Sequence, residues 1–390
     1  EVLSRPPRGM GLDLSGIPIL DQHCHPLLRE GSRFTAVEYQ RFFSESAEAE
    51  MHERHAPTTI FFRWALKEIA AFLGCAPTVA AVLTARAAGG AGALADRMLR
   101  AANLSMLLVD HGYQTGDSLS HAELAARLPC RLATILRLET LAQDLIIRHE
   151  TFDQAIDDFV ATVEGARASG HVGLKSIVAY RSGLAVRETA RSEAAAAFGP
   201  VKERARHAGR VRLADKPLND YLVHRALEIA ERQEMPVQFH TGFGDGDLDL
   251  LTANPLHLRP LIERYRRVPF VLLHASYPYV RELGYLAAIH PNVHADLGLA
   301  VPYVAANIPA LLRDALALAP TSKLLFSTDA YSIPDIFWIA ARWGRWGLGE
   351  VLHEMIGLGA LAADEALDVA RQILGGNAAR LYGLPWPVAE

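Results

Sequence analysis

The chain has 390 residues, half of them hydrophobic and about a fifth charged, with 39 Lys and Arg against 44 Asp and Glu for a formal charge of −5. That apolar content excludes a disordered or fibrous chain, and no lysine- or arginine-rich run suggests a nucleic-acid partner. The longest charge-free runs, 69–85 and 297–312, fall short of the ~20 residues of a spanning helix and contain proline, so no membrane partner is expected. Residues 1–16 carry Arg5, Pro6, Pro7 and Arg8 without an apolar stretch, so no signal peptide is read there. Three scattered cysteines read as reduced thiols of a cytoplasmic protein.

Short apolar runs recur along the chain at 17–20, 104–109, 132–138, 172–178, 235–239, 269–273, 293–297 and 323–327. They are rich in Val, Ile, Leu or Phe and lack clean alternation, as strands buried on both faces do. Stretches with helical periodicity lie between most of them, among them 152–168, 219–232, 256–266 and 308–318. Eight strand–helix units predict an α/β fold, a (β/α)8 barrel, with an open doubly wound sheet as the alternative. The whole of 1–390 reads as one such domain, closed by a helix pair over 363–382.

One interval breaks the rhythm. About seventy residues separate the first two strands, and they read as helix over 36–51, 58–73, 78–88 and 93–101. An insertion after a first barrel strand emerges on the C-terminal face, so 30–101 is expected to cap the pocket. An association surface between copies of the chain, making a homo-oligomer, is the other reading.

Sixteen histidines are present, and their placement carries the chemistry. The first strand runs into Asp21-Gln22-His23-Cys24-His25, where residues two apart share a face, so His23 and His25 project together. Two buried imidazoles need partners, which a metal would supply, although a His-x-His pair also occurs without one. His240, His274 and Asp329 end three further runs, and Lys175 sits inside the apolar run 172–178. In a barrel these strand ends converge on one point.

This arrangement resembles the amidohydrolase superfamily: Asp-x-His-x-His on strand one, Lys on strand four, His on strands five and six, and Asp on strand eight. The stretches 173–181, 238–245, 273–279 and 326–330 resemble its FluG/nodulin-type branch, met as stand-alone bacterial proteins or fused to glutamine-synthetase-like modules; this chain is expected to be the stand-alone form. The resemblance implies that His23 and His25 hold a first metal, His240 and His274 a second, and that Lys175 bridges them as a carbamate formed with carbon dioxide. Asp329 would touch the first metal and shuttle protons. Imidazole and carboxylate ligands without thiolate suit Zn²⁺, with Mn²⁺ the alternative, and the spacing leaves one ion or two open.

For the substrate, a small molecule, Arg137 and Glu139 are expected to face the pocket together from the end of strand three, unless they form a salt-bridged pair at the mouth. Tyr180 and Arg181 follow Lys175, and Arg181 could clamp a carboxylate bidentately. Tyr277 is placed in the pocket wall or in packing. The loop starting at Asp245 lacks the Gly and Glu of a calcium loop, and Met51-His-Glu-Arg-His55 lacks the zincin spacing, so its histidines are expected on a solvated helix face. His294, two residues before Asp296 on a strand, is the further histidine to test. The leading expectation is a metal-dependent hydrolase of an amide-type C–N bond in a small carboxylated molecule. A decarboxylase or C–C hydrolase of the same fold, and a non-catalytic binding barrel, are the alternatives.

Overall fold

The computed structural model describes residues 11–386 apart from Ser32, so the leader reading of the first ten residues lies outside the described residues. Eight strands form where the apolar runs predict them: β1 (Ile19–Cys24), β2 (Leu104–Asp110), β3 (Arg131–Arg137), β4 (His171–Ser176), β5 (Val237–Phe239), β6 (Phe270–Leu272), β7 (Val293–Asp296) and β8 (Leu324–Leu325). Each pairs in parallel with the next, in the order β1 to β8. Backbone bonds from Gln22 N–H to the Phe326 carbonyl (3.2 Å), from Asp329 N–H to that of His23 (3.0 Å) and from His25 N–H to that of Ala330 (2.8 Å) join the last edge to the first. The fold is a (β/α)8 barrel, and those closing bonds thread the residues that matter most.

The barrel interior is layered. Leu20, Met106, Leu108, Ile135, Val271, Leu273 and Leu325 pack together in its lower part with Ala378 and Tyr382 of the helix Asn377–Tyr382. Above them lies a polar layer. Tyr382 donates to Gln22 Oε1 (2.7 Å), Gln238 Nε2 donates to the Tyr382 hydroxyl (2.9 Å), and Gln22 Nε2 donates to Asp296 Oδ1 (2.8 Å). The helix pair expected over 363–382 is present as Ala363–Arg371 and Asn377–Tyr382, with a wide turn between.

Between β1 and β2 the expected helix 36–51 stops early, at Arg41. The Ser44 and Ser46 hydroxyls accept from the backbone N–H groups of Ser46 (3.2 Å) and Glu48 (3.1 Å), and such local bonds compete with helix continuation. Met51–His55 forms a wide helical turn, and His52 is buried rather than solvated, its Nε2 on the Ser46 carbonyl (2.5 Å). The helices Ile60–Leu73 and Ala91–Ala101 lie against the 24-residue helix Pro334–Gly357, and Val79–Gly89 packs on both of them. Trp64 stacks on Trp343 at 4.2 Å, and Asp335 accepts from Tyr39 (2.9 Å) and from the fully buried Arg86.

Candidate metal centre

His23 Nε2 and His25 Nε2 both lie against Asp329 Oδ1, at 3.1 and 3.2 Å. Taken as one ligand atom each, the three residues fall within 4.8 Å of one another. The remaining ring nitrogens are tethered. His23 Nδ1 meets Gln238 Oε1 at 2.8 Å, and His25 Nδ1 meets the Asp110 carbonyl at 3.0 Å. Both partners are acceptors, so each Nδ1 carries the hydrogen and each Nε2 turns its lone pair toward Asp329. Gln238 is itself held by the Gln22 carbonyl (2.8 Å) and Gln22 Oε1 (2.9 Å). Such anchoring orients an imidazole for a metal.

A second pair sits beside them. His240 Nε2 faces the Phe243 carbonyl at 3.0 Å, and its Nδ1 is 2.9 Å from His274 Nε2. The carbonyl can only accept, so His240 Nδ1 holds a lone pair, His274 Nε2 donates to it, and His274 Nδ1 is left as an acceptor. That nitrogen is buried without a partner among the described residues, 3.9 Å from Asp329 Oδ2. Two facing acceptors with nothing between them fit a cation. The donor chemistry of His23, His25, His274 and Asp329 therefore suits a divalent metal, whereas His240 stands behind His274 with its free nitrogen engaged.

Burial keeps the imidazoles of His23, His240 and His274 neutral. It lowers His23 to about 4, helped by Lys175, and His274 to about 3; His240 falls well below the usual range through burial and His274. Burial opposes the charge of Asp329, but His274, His23 and His25 around it hold the carboxyl well below the ordinary carboxylate range. Lys175 Nζ is 3.2 Å from His23 Nε2, and burial with the nearby Arg137 lowers its amine to about 8.

Backbone geometry makes this convergence possible. Asp329 has φ +52°, and His274, Ala275 and Ser276 form a run at +67°, +50° and +49°. Non-glycine residues there are costly and cluster at functional sites. Gly242, at φ +71°, lets the loop after β5 pass against the loop after β6; a Cβ on it would lie 2.4 Å from the Ser276 carbonyl carbon.

The centre forms part of the wall of a cavity of about 940 Å³, which is lined by His25, Lys175, His240, His274 and Asp329, by Arg137, Tyr180, Arg181 and Arg212, and by residues of the 41–52 segment. Tyr180 packs on His240 with ring centroids 4.3 Å apart. Arg181 is half-buried, makes no ion pair among the described residues, and its Nε has no partner. Arg137 is committed to Asp110, with Nε and Nη2 donating to Oδ2 at 2.8 and 2.6 Å. Burial resists ionisation of Asp110, yet Arg137 overrides it and holds the carboxyl far below its usual range.

Two expectations are corrected. Glu139 does not line the cavity: the strand ends at Arg137, so the two-residue period no longer applies, and Glu139 accepts from Ser176 Oγ (2.6 Å) and Ile177 N–H (2.9 Å). The salt bridge at the mouth is Arg137–Asp110, not Arg137–Glu139. Of the two places read for Tyr277, the pocket wall and packing, the structure shows packing, on Phe243 at 5.6 Å. Sequence reading missed Gln238 and Asp110, although the first lies two residues before His240 on β5 and the second ends β2. It also missed Glu45, which no periodic signal marks.

A family model described as amidohydrolase matches residues 137–384. The protein fluG of Emericella nidulans is 31% identical over 402 residues, covering 94% of this chain and 46% of that protein, so the chain spans about half the length of this curated relative. Among solved structures, a Lactobacillus casei protein proposed to be a metal-dependent hydrolase is 30% identical, with a TM-score of 0.86 over 95% of this chain and 96% of that one. The uronate isomerase of Thermotoga maritima, 13% identical with a TM-score of 0.65 over 94% and 95%, shares the fold. The chain belongs to the amidohydrolase family. Among the described residues, no helix is long and apolar enough to cross a membrane.

Proposed function

We propose that the protein is a metal-dependent hydrolase that cleaves an amide-type C–N bond of a small carboxylated molecule. The observation that carries this reading is the set of inward lone pairs of His23, His25 and His274 around Asp329, in the wall of a cavity that also presents the unpaired Arg181. A divalent ion held there, Zn²⁺ by preference, would supply Lewis acidity and lower the pKa of a bound water.

The chain's own residues do the rest. Asp329, ionised and facing the cavity, accepts the proton of the attacking water and returns it to the leaving nitrogen. Arg181 binds the substrate carboxylate through two parallel N–H groups. Tyr180, packed on His240, closes the wall beside it. The lowered pKa of Lys175 favours the neutral amine that can add to carbon dioxide, losing a proton to give a carbamate. A free ammonium at 3.2 Å would occupy the His23 lone pair, whereas a carbamate would present oxygens. A second ion on His240 and His274 would require their mutual bond to part. The 41–52 segment serves as the cap that selects the substrate.

A decarboxylase or C–C hydrolase is the second reading, favoured by the compact single centre that the engaged His240 leaves. Metal analysis by mass spectrometry, joined to a screen of γ-glutamyl amides, dipeptides and aromatic carboxylates, separates the readings. One to two equivalents of metal are expected, with Asp329→Asn retaining fold and metal but losing roughly 10²–10⁴-fold in kcat. Full activity in metal-free protein would overturn the mechanism.

A further inference from the structure

Glu45 lies in the segment between β1 and β2 and lines the same cavity as Asp329. One of its oxygens accepts from the Tyr303 hydroxyl at 2.8 Å, and it makes no ion pair among the described residues. Tyr303 is fixed from behind between Phe61 (4.9 Å) and Phe243 (5.7 Å). Tyr113 and Tyr331, which also line the cavity, meet edge to face at 5.7 Å, with Tyr113 resting on His25 at 5.1 Å. Glu45, Tyr113, Tyr180 and Tyr331 thus face one cavity. Arg41 lines the cavity too but is not paired with it.

A carboxylate that shares a cavity wall with tyrosine rings and makes no ion pair among the described residues is the chemistry that recognises an ammonium group: the charge pairs with the carboxylate and the N–H and C–H edges lie on the ring faces. Burial accordingly pushes the Glu45 carboxyl up to about 7, against the Tyr303 bond that lowers it. Arg181 sits elsewhere in the wall, among Arg212, Glu139, Asp247 and Arg137.

We propose that Glu45 and the tyrosines around it receive an alkylammonium group of the substrate, so that the cavity takes a molecule bearing both an amine and a carboxylate. The inference rests on the reading of Arg181 as the carboxylate site, and the amine half can be tested without turnover. Calorimetric titration of metal-free protein at pH 8 with n-butylamine, butyrate and butyramide compares the wild type with Glu45→Gln, Tyr303→Phe, Arg181→Met and Asp329→Asn, each checked for an unchanged melting transition. Butylamine should bind more tightly than butyramide and weaken roughly tenfold in Glu45→Gln, the scale of one charge-assisted hydrogen bond, and by a smaller factor in Tyr303→Phe. Butyrate binding should survive Glu45→Gln and be lost in Arg181→Met. Butylamine binding no tighter than butyramide, or a loss that follows Asp329→Asn instead of Glu45→Gln, overturns the proposal. If the metal-loaded protein hydrolyses no amide while amine binding still depends on Glu45, the hydrolase reading fails and the ammonium recess stands.

Discussion

His23 and His25 are useful to a metal only because their other nitrogens are taken. A neutral imidazole that loses its Nδ1 acceptor can rotate or change tautomer, and its Nε2 then points nowhere in particular. Replacing Gln238 with Leu should therefore weaken metal affinity about 10–100-fold without touching a ligand. Competition titration against a chromogenic chelator measures it, and unchanged affinity would show that the Gln238 contact (2.8 Å) does not orient the ring. Arg137 illustrates the opposite lesson. Its position at the end of β3 was legible, but its charge is spent on Asp110, whereas Arg181 and Arg41 line the cavity without an ion pair among the described residues.

Loops and helices decide how these side chains meet. The loops after β5 and β6 touch at Gly242, where a side chain would collide with Ser276 and face a left-handed φ of +71°. Gly242→Ala should cost about 2–5 kcal/mol and spread His240 from His274, read as a lower Tm together with reduced metal content. The segment between β1 and β2 is anchored through Arg86, whose guanidinium and the Asp335 carboxylate are both fully buried. Asp335→Ala leaves that charge uncompensated and should destabilise by about 3–5 kcal/mol in urea unfolding. Replacing both partners with apolar residues should restore most of the loss, which a merely local packing defect would not. The helix Pro334–Gly357 that receives this segment escaped sequence reading, because Trp338, Trp343 and Leu348 bury several of its faces and blur the polar–apolar contrast that marks a surface helix.

At the scale of the molecule, buried neutral histidines link folding to pH. Burial, with Lys323 nearby, lowers His294 to about 4, and its Nδ1 has no partner among the described residues. An unfolded histidine titrates near 6.5, so between those values the unfolded chain binds the extra proton. Stability contributed by neutral His294 is thus complete above about pH 6.5 and lost as pH falls toward 4, by about 3 kcal/mol. Guanidinium unfolding at pH 7, 6 and 5 should show that decline, and His294→Gln should flatten part of it; a parallel slope in the variant would assign the effect to other groups.

The eight strands, their parallel order and the placement of His23, His25, Lys175, His240, His274 and Asp329 near strand ends were written in contiguous residues, since apolar runs and a two-residue period are local properties. Partner choice was not. Which nitrogen of each histidine is free, that His240 is bound by His274, that Glu139 turns inward to Ser176, and that Glu45 reaches the cavity all depend on groups tens to hundreds of residues apart. Only closure of the barrel brings those groups within hydrogen-bond range, and there the need of every buried polar atom for a partner settles which residues remain available for chemistry.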